Sequence, residues 1–377
     1  MTNTTASTIR FEETNLKPKQ TSEGHTIPMS AINATTIVTH KDWSAVVHSL
    51  IEQAHIRGNM PMYKTCITDM LRANGFAPIQ QYYTLRDLYE ELNRSISLEG
   101  NYIIKLGGGN YCALVPDMNK GQYVLKGVVT GRTPLERRWV EEIWLYVPGT
   151  DNRTGMKRKV KERTMPADGR DFAAKNMNPE GRSIGDCVIR GLSAAYGCTW
   201  HEAIDHIADA TQYMDPVLNI TPNINATLIK LGFERHKGVK RGNKFINGKE
   251  LCALLDRTYH NGETVFAYVG RSHCAAILPI NYNGEIKYKV QDTWDSTTRG
   301  ISEYWVYKKY VEAPKCPEKT SEPCTDFKID GSIQHPQYGK GRIVSIFGEG
   351  TNRFFEIDFE TVGSKKISEA WLKAYKK

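Results

Sequence analysis

Three residues carry the chemistry legible in this chain: a cysteine, a histidine and an aspartate. Cys187 stands in Ile184-Gly185-Asp186-Cys187-Val188-Ile189-Arg190-Gly191-Leu192, His273 in Ser272-His273-Cys274-Ala275-Ala276-Ile277, and Asp292 in Asp292-Thr293-Trp294-Asp295. A thiol becomes a nucleophile when a neighbouring imidazole takes its proton. A carboxylate behind the imidazole then fixes the ring's tautomer and orientation. A lone cysteine or a lone core histidine is ordinarily structural, so it is the ordered trio that points to acyl chemistry.

The elements that must position these side chains follow from the local pattern. Gly185 and Asp186 read as the cap of a helix whose apolar positions are Val188, Leu192 and Ala195, with Gly197 as its stop. Cys187 is then expected in the first turn, where the helix dipole and a nearby imidazolium favour thiolate over thiol. Val265 to Val269 and His273 to Leu278 read as strands, Gly284 as a turn, and Ile286 to Val290 as the returning strand that brings Asp292 to His273.

The wider stretch Asn178-Pro179-Glu180-Gly181-Arg182-Ser183-Ile184-Gly185-Asp186-Cys187-Val188-Ile189-Arg190 precedes a helix opened by Thr199-Trp200-His201-Glu202, and the segment closes on Asp292-Thr293-Trp294-Asp295. This resembles a family of small papain-like proteins common in phages and bacteria, over about residues 176–308. The resemblance implies a papain-like fold with Cys187 as nucleophile, His273 as base and Asp292 as orienter. Papain has an oxyanion-hole Gln shortly before its cysteine, and this chain has no Gln between Asp171 and Cys187. Asn178 is the candidate substitute, aided by the Cys187 N–H; the alternative is that Asn178 is only a turn residue ahead of Pro179. Trp294 is expected to wall the site or pack beneath Asp292.

The first part of the chain reads as a divergent copy of the second. Trp43 opens an amphipathic helix (Val46, Val47, Leu50, Ile51) as Trp200 does (Ala203, Ile204, Ile207), and Gly75-Phe76 ends a helix as Gly232-Phe233 does. Both landmarks lie 157 positions apart. Further on, Asn110-Tyr111-Cys112-Ala113 parallels Ser272-His273-Cys274-Ala275 at a spacing of 162, with a longer loop around Lys237 to Lys244 taking up the difference. These offsets put Ser30 opposite Cys187 and Tyr111 opposite His273, with no carboxylate in Val128 to Thr130 opposite Asp292. A Ser–Tyr pair has no base that titrates near neutrality, so the first copy is expected to be catalytically inert.

The fold class expected is therefore α+β: two tandem papain-like domains, the first degenerate, then a small Tudor- or SH3-like β-barrel. Residues 1–25 read as a disordered arm, 26–148 as the degenerate domain, 149–175 as a basic linker, 176–310 as the catalytic domain, 311–328 as a second linker and 329–377 as the barrel. The last segment, with His335-Pro336-Gln337-Tyr338-Gly339-Lys340-Gly341, resembles the Tudor-like module that ends some bacterial DNA helicases. Gly339 and Gly341 are expected to supply positive φ, His335 to hydrogen-bond within the fold, and Trp371 to sit on a terminal helix. In helicases such modules bind protein or nucleic acid, which makes this one a candidate interaction module; the alternative is a self-contained cap with no partner.

Composition bounds the remainder. The chain has 377 residues, 40% hydrophobic and 24% charged, a net charge of +8 and eight cysteines without a C-x-x-C pair. It reads as a soluble protein of a reducing, cytoplasmic compartment (host cytoplasm if phage-encoded), with no membrane-spanning run, no signal peptide, no metal site and no cofactor motif. The clustered excess charge, in Met156 to Arg163 and in the Lys237 to Lys244 loop, hints at an acidic partner or nucleic acid, with plain solvation as the bland alternative. Two function classes remain. One is a cysteine hydrolase cleaving a peptide, isopeptide or related amide bond of a protein substrate, or transferring the acyl group. The other is a non-enzymatic scaffold or inhibitor binding a host protein or nucleic-acid machinery.

Overall fold

The computed structural model describes residues 9–18, 27–79, 83–94, 98–153, 164–181, 184–259, 261–282, 284–308, 329–335, 339–347, 354–360 and 363–368. The chain divides into a compact unit Met1–Lys309 and a second unit Tyr310–Lys377. The mixed α+β class holds.

The first half of the larger unit runs β1 (Phe11–Glu13), α1 (Ile27–Thr39), α2 (Trp43–Arg57), α3 (Lys64–Ala73), β2 (Phe76–Ile79), β3 (Tyr83–Thr84), α4 (Leu85–Arg94), β4 (Tyr102–Leu106), β5 (Tyr111–Asp117), β6 (Gln122–Gly127) and β7 (Trp139–Tyr146). The second half runs β8 (Phe172–Ala174), α5 (Cys187–Tyr196), α6 (Trp200–Ala210), α7 (Thr221–Lys230), β9 (Glu234–Lys237), the hairpin β10 (Lys240–Arg241) and β11 (Lys244–Phe245), α8 (Gly248–Thr258), β12 (Thr264–Val269), β13 (His273–Tyr282), β14 (Glu285–Asp292) and β15 (Ile301–Tyr307). The sheets have one design: β1-β6-β5-β4-β7-β2 in the first half and β8-β14-β13-β12-β15-β9 in the second. In each the opening strand joins parallel and the other pairs are antiparallel.

The likeness extends to side chains. Trp144 Nε1 donates to Glu142 at 3.1 Å, and Trp305 Nε1 donates to Glu303 at 2.8 Å. Arg72 lies 5.9 Å from the Trp144 ring and Arg235 lies 5.6 Å from the Trp305 ring. Phe76 packs on Tyr146 at 5.1 Å between ring centres, and Phe233 on Tyr307 at 5.0 Å. The fold repeat inferred from the tryptophan and glycine-phenylalanine landmarks is present in the structure.

Sequence dictates these elements by ordinary means. Thr199 and Glu202 form the expected capping box at α6, and Asn247 and Glu250 form another at α8. Gly58 and Gly197 end α2 and α5 in left-handed geometry. In β12 the period of two sends Phe266 toward α5 and Val265, Ala267 and Val269 toward α8. Gly191 lets α5 lie close on the sheet, since a Cβ there would meet the Phe266 ring at 3.1 Å.

The two halves do not form separate cores. One buried cluster joins Val46, Val47, Leu50 and Ile51 of α2 with Ala203, Ile204 and Ile207 of α6, and reaches Trp144 and Trp305 of the two sheets. Smaller clusters line the opposite sheet faces, under α4 in the first half and α8 in the second. The layers run helix, sheet, shared helices, sheet, helix.

Several expected boundaries shift. Phe11–Glu13, within the supposed arm, pairs with β6, and Phe172–Ala174, within the supposed linker, pairs with β14. Three-residue edge strands are too short to announce themselves by periodicity. Thr2 to Thr8, the basic run Met156 to Arg163, and the second linker with Cys316 and Cys324 lie outside the described residues.

The second unit is an antiparallel meander of β16 (Ser332–His335), β17 (Gly339–Phe347), β18 (Phe354–Phe359) and β19 (Gly363–Ser368). Ile343, Phe355, Ile357, Phe359 and Ile367 form its core. Among the described residues the strands do not close into a barrel. Gly339 has the expected positive φ of 75°. Gly341 serves differently, because a Cβ there would lie 2.5 Å from the Phe359 ring. The His335 side chain and Trp371 lie outside the described residues.

Candidate active site

Helix α5 begins on Cys187 itself. Asp186 holds the N-cap position, yet its side chain makes no cap hydrogen bond. Its carboxylate is fully buried and turned sideways: Oδ1 accepts from Arg190 Nε at 2.9 Å, and Oδ2 accepts from Asn178 Nδ2 at 3.0 Å and Trp200 Nε1 at 2.9 Å. Burial pushes the Asp186 carboxyl above its ordinary range, while Arg190, Asn178 and Trp200 pull it back. The start of α5 is thus left without a side-chain cap beside the sulfur, where the positive end of the dipole favours a thiolate.

His273 opens β13 and Asp292 closes β14, so the antiparallel hairpin brings the two to one end of the sheet. His273 Nε2 lies 2.5 Å from Asp292 Oδ2. That oxygen also accepts from Ser296 Oγ at 2.9 Å, and Oδ1 accepts from Thr293 N at 2.7 Å. Arg190 Nη1 donates to Thr293 Oγ1 at 2.7 Å and approaches Asp292 Oδ1 at 3.7 Å. One buried arginine therefore ties the start of the Cys187 helix to the loop that aims Asp292. With Nε2 taken by Asp292, Nδ1 is the nitrogen left to serve the sulfur. The Trp294 ring packs against His273 at 5.1 Å between centres and 47° between planes, walling the imidazole.

Two opposed shifts follow. Hydrogen bonding from Cys274, against the cost of burial, and then hydrogen bonding and charge from His273 pull the Cys187 thiol from 9.0 down to about 4. Burial opposes protonation of His273, but its hydrogen bonds to Asp292 and Cys187 overcome this and raise it from 6.5 to about 9. Between those values the pair is a thiolate and an imidazolium. Cys112, Cys198 and Cys252 go the other way, each pushed up to about 12 by burial first. A cavity of about 10 Å³, room for one water, abuts Cys187 between Arg190, Cys274, Gln291 and Asp292.

Asn178 is drawn into scaffolding. Its Nδ2 donates to Gly58 O at 3.2 Å as well as to Asp186, and its Oδ1 accepts from Glu180 N at 3.0 Å. Tyr63 Oη accepts from Gly185 N at 3.2 Å. Gly58 and Tyr63 belong to the first half, which thus props the turn ahead of Cys187.

The first half repeats the frame without the chemistry. Ser30 Oγ accepts from Tyr111 N at 3.0 Å, as Cys187 is hydrogen-bonded by the backbone of Cys274. Lys105 pairs with Tyr111 and Glu142, as Tyr268 pairs with Cys274 and Glu303. Ser30 is therefore the counterpart of Cys187, but Tyr111 corresponds to Cys274, one position beyond the base expected from the sequence. Asn110 occupies the His273 place. The pairings of β1 with β6 and of β8 with β14 set Gly127 opposite Asp292. Asn110 Nδ2 donates to Thr130 Oγ1 at 3.2 Å. The described first-half site holds neither an imidazole nor a carboxylate at the matching positions.

Sequence reasoning did not single out Arg190, Cys274, Thr293 or Ser296 for roles. The Asp186–Arg190 pair carried a readable signal, one helical turn of spacing; the others depend on long-range contacts. Among the described residues no cluster of three or more His, Cys, Asp or Glu side chains is placed to hold a metal, and no helix is long and apolar enough to cross a membrane. Comparison with protein-family models, curated proteins and solved structures finds no match to this chain.

Proposed function

We propose that this protein is a cysteine hydrolase acting on a peptide, isopeptide or related amide bond, with papain-like halves of which only the second is active. The observation that carries the reading is the meeting of Cys187, His273 and Asp292, drawn from a helix start and two strand ends, as a thiolate–imidazolium pair backed by a buried carboxylate.

In this reading the Cys187 thiolate attacks the substrate carbonyl carbon. The oxyanion is received by the amide groups at the open start of α5, including the Cys187 N–H, rather than by the committed amide of Asn178. The tetrahedral intermediate collapses as His273 gives its proton to the leaving amine, which departs. A water then attacks the thioester, His273 takes its proton, and the acid is released with the thiolate restored. Asp292 keeps the ring oriented throughout, and Trp294 covers it. The first half acts as a brace, and the C-terminal unit as the module that recruits a protein partner. A free thiolate nucleophile suits a reducing setting such as the cytoplasm.

The test is alkylation of the purified chain by iodoacetamide across pH, mapped by mass spectrometry in wild type and Cys187→Ala. Cys187 is expected to react ahead of every other cysteine below neutral pH. Reaction no faster than at Cys66 or Cys252 would sink the reading.

A further inference from the structure

The nucleophile sits at an end of its own sheet around which exposed cations gather, and this bears on what it cleaves. His273 and Asp292 lie where β13 begins and β14 ends, and the antiparallel ladders place Val269, Ile301 and Lys237 at that same end. The loop that follows Asp292 is bound to the start of α8, through Lys249 N to Thr297 O at 3.2 Å and Gly248 N to Arg299 O at 3.2 Å. The hairpin β10–β11 is fastened to the same place: Ile246 N donates to Val239 O at 2.9 Å, Ile301 N to Ile246 O at 2.8 Å, and Gly270 N to Gly300 O at 2.8 Å. Residues scattered from 240 to 299 thus gather around one rim. Lys240, Arg241, Lys244, Lys249, Arg271 and Arg299 are all exposed on it.

Charge on this rim is not neutralised from within. Arg241 pairs with Glu250 at 2.8 Å. Among the described residues, Lys240, Lys244, Lys249, Arg271 and Arg299 have no carboxylate at ion-pair distance. Among the described residues this end also carries exposed Asp295, whose carboxyl is held below its ordinary range first by Thr297 and also by Lys249, and exposed Asp168, whose Oδ1 accepts from Ala174 N at 2.7 Å next to Asp292. Other exposed cations of the same half are paired: Arg235 with Glu303, Lys308 with Glu234 and Lys230 with Asp209. The hairpin also offers apolar contact, since Val239 and Phe245 are 41% and 39% exposed and Lys240 lies over the Phe245 ring.

Resting on the hydrolase reading, we propose that the substrate is an acidic polypeptide segment. Its Asp and Glu side chains dock on this rim and its scissile amide reaches Cys187. Unpaired cations beside the reacting thiolate concentrate an anionic chain and speed its encounter, by roughly tenfold or more at low salt. A peptide fits better than a nucleic acid because the reacting group beside the rim is a thiolate suited to acyl carbon.

The experiment uses the full chain and two peptidyl chloromethyl ketones of equal length, one rich in Glu and one rich in Lys, with neutral iodoacetamide as reference. The Glu probe is expected to label Cys187 about tenfold faster than the Lys probe at low salt. That gap should close at about 1 M salt and in the exposed-residue variant Lys240→Glu/Lys244→Glu/Arg271→Glu, while iodoacetamide labelling stays unchanged. Equal rates for the two probes, or a gap that survives the variant, would overturn the proposal. So would protection of Cys187 by a single-stranded oligonucleotide but not by polyglutamate. Binding of the Glu-rich peptide to Cys187→Ala, followed by fluorescence anisotropy and lost in the rim variant, tests docking without chemistry. Failure of the rim is thereby distinguished from failure of the nucleophile, which iodoacetamide alone reports.

Discussion

Replacing His273 with alanine tests the central arrangement through the shape of a pH profile. In the wild type Cys187 is held down to about 4, so it is a thiolate at any higher pH and its alkylation rate should be flat from about pH 5 to pH 8. His273→Ala removes the imidazolium and its hydrogen bond but leaves the Cys274 donors, so the inflection must climb toward the ordinary thiol value of about 8.5. The sign is unambiguous: loss of a cation beside an anion makes the anion harder to form. A single-pH comparison would hide much of this. At pH 6 a full return to about 8.5 lowers the thiolate fraction roughly 300-fold, yet the more basic thiolate is intrinsically about 100-fold more nucleophilic, leaving only about threefold in rate. The profile is free of that compensation, because below its inflection the rate falls about tenfold per pH unit whatever the intrinsic reactivity. Iodoacetamide kinetics from pH 4 to 9, resolved at Cys187 by mass spectrometry, provide the measurement. A His273→Ala profile that stayed flat down to pH 5 would refute the idea that His273 acts on Cys187.

Asp292→Ala removes the acceptor at His273 Nε2, so the proton held on His273 to about 9 should leave at lower pH; nitrogen-resolved histidine NMR titration of wild type and variant reads this directly. Arg190→Met strips the fully buried Asp186 of its cation and should cost about 3–5 kcal/mol in urea unfolding, with an unchanged midpoint counting against the buried-pair argument. Ser30→Ala withdraws an acceptor from the buried Tyr111 N–H, for about 1–3 kcal/mol of stability, while the Cys187 alkylation profile stays as in wild type. A change in that profile would mean that the first half takes part in the chemistry.

The legible features were those written in local spacing. Trp43 with Trp200 and Phe76 with Phe233 are helix-start and helix-end landmarks; α3 and α7 are both ten residues long, and although α2 has 15 residues against 11 in α6, the span between the landmarks is the same in both copies. The strand register was harder. Asn110 immediately precedes Tyr111, the first residue of β5, so a slip of one residue exchanges the two, and the ladder with Lys105 shows which corresponds to His273. Asp186 illustrates a second limit. As a residue before a helix it reads as a cap, but Trp200 and Arg190 offer its carboxylate a buried alternative that wins. Asn178 shows a third: its amide is claimed partly by the carbonyl of Gly58, far away in sequence, and no local pattern announces such a partner.

The single core shared by α2 and α6 has a further consequence for how such a duplicated chain can change. Because each half supplies part of the other's interior, a change at the Cys187 or Ser30 position leaves the shared core in place, whereas loss of either half's packing would unfold both. The half that lacks the His and Asp is therefore held in place by the half that has them. Substitutions at Val47, Leu50 or Ile51 should behave as lesions of the Cys187 centre although they never touch it. Heat or denaturant should melt the two halves of the larger unit in one cooperative step, so the thermal limit of the Cys187 site is set jointly by both halves.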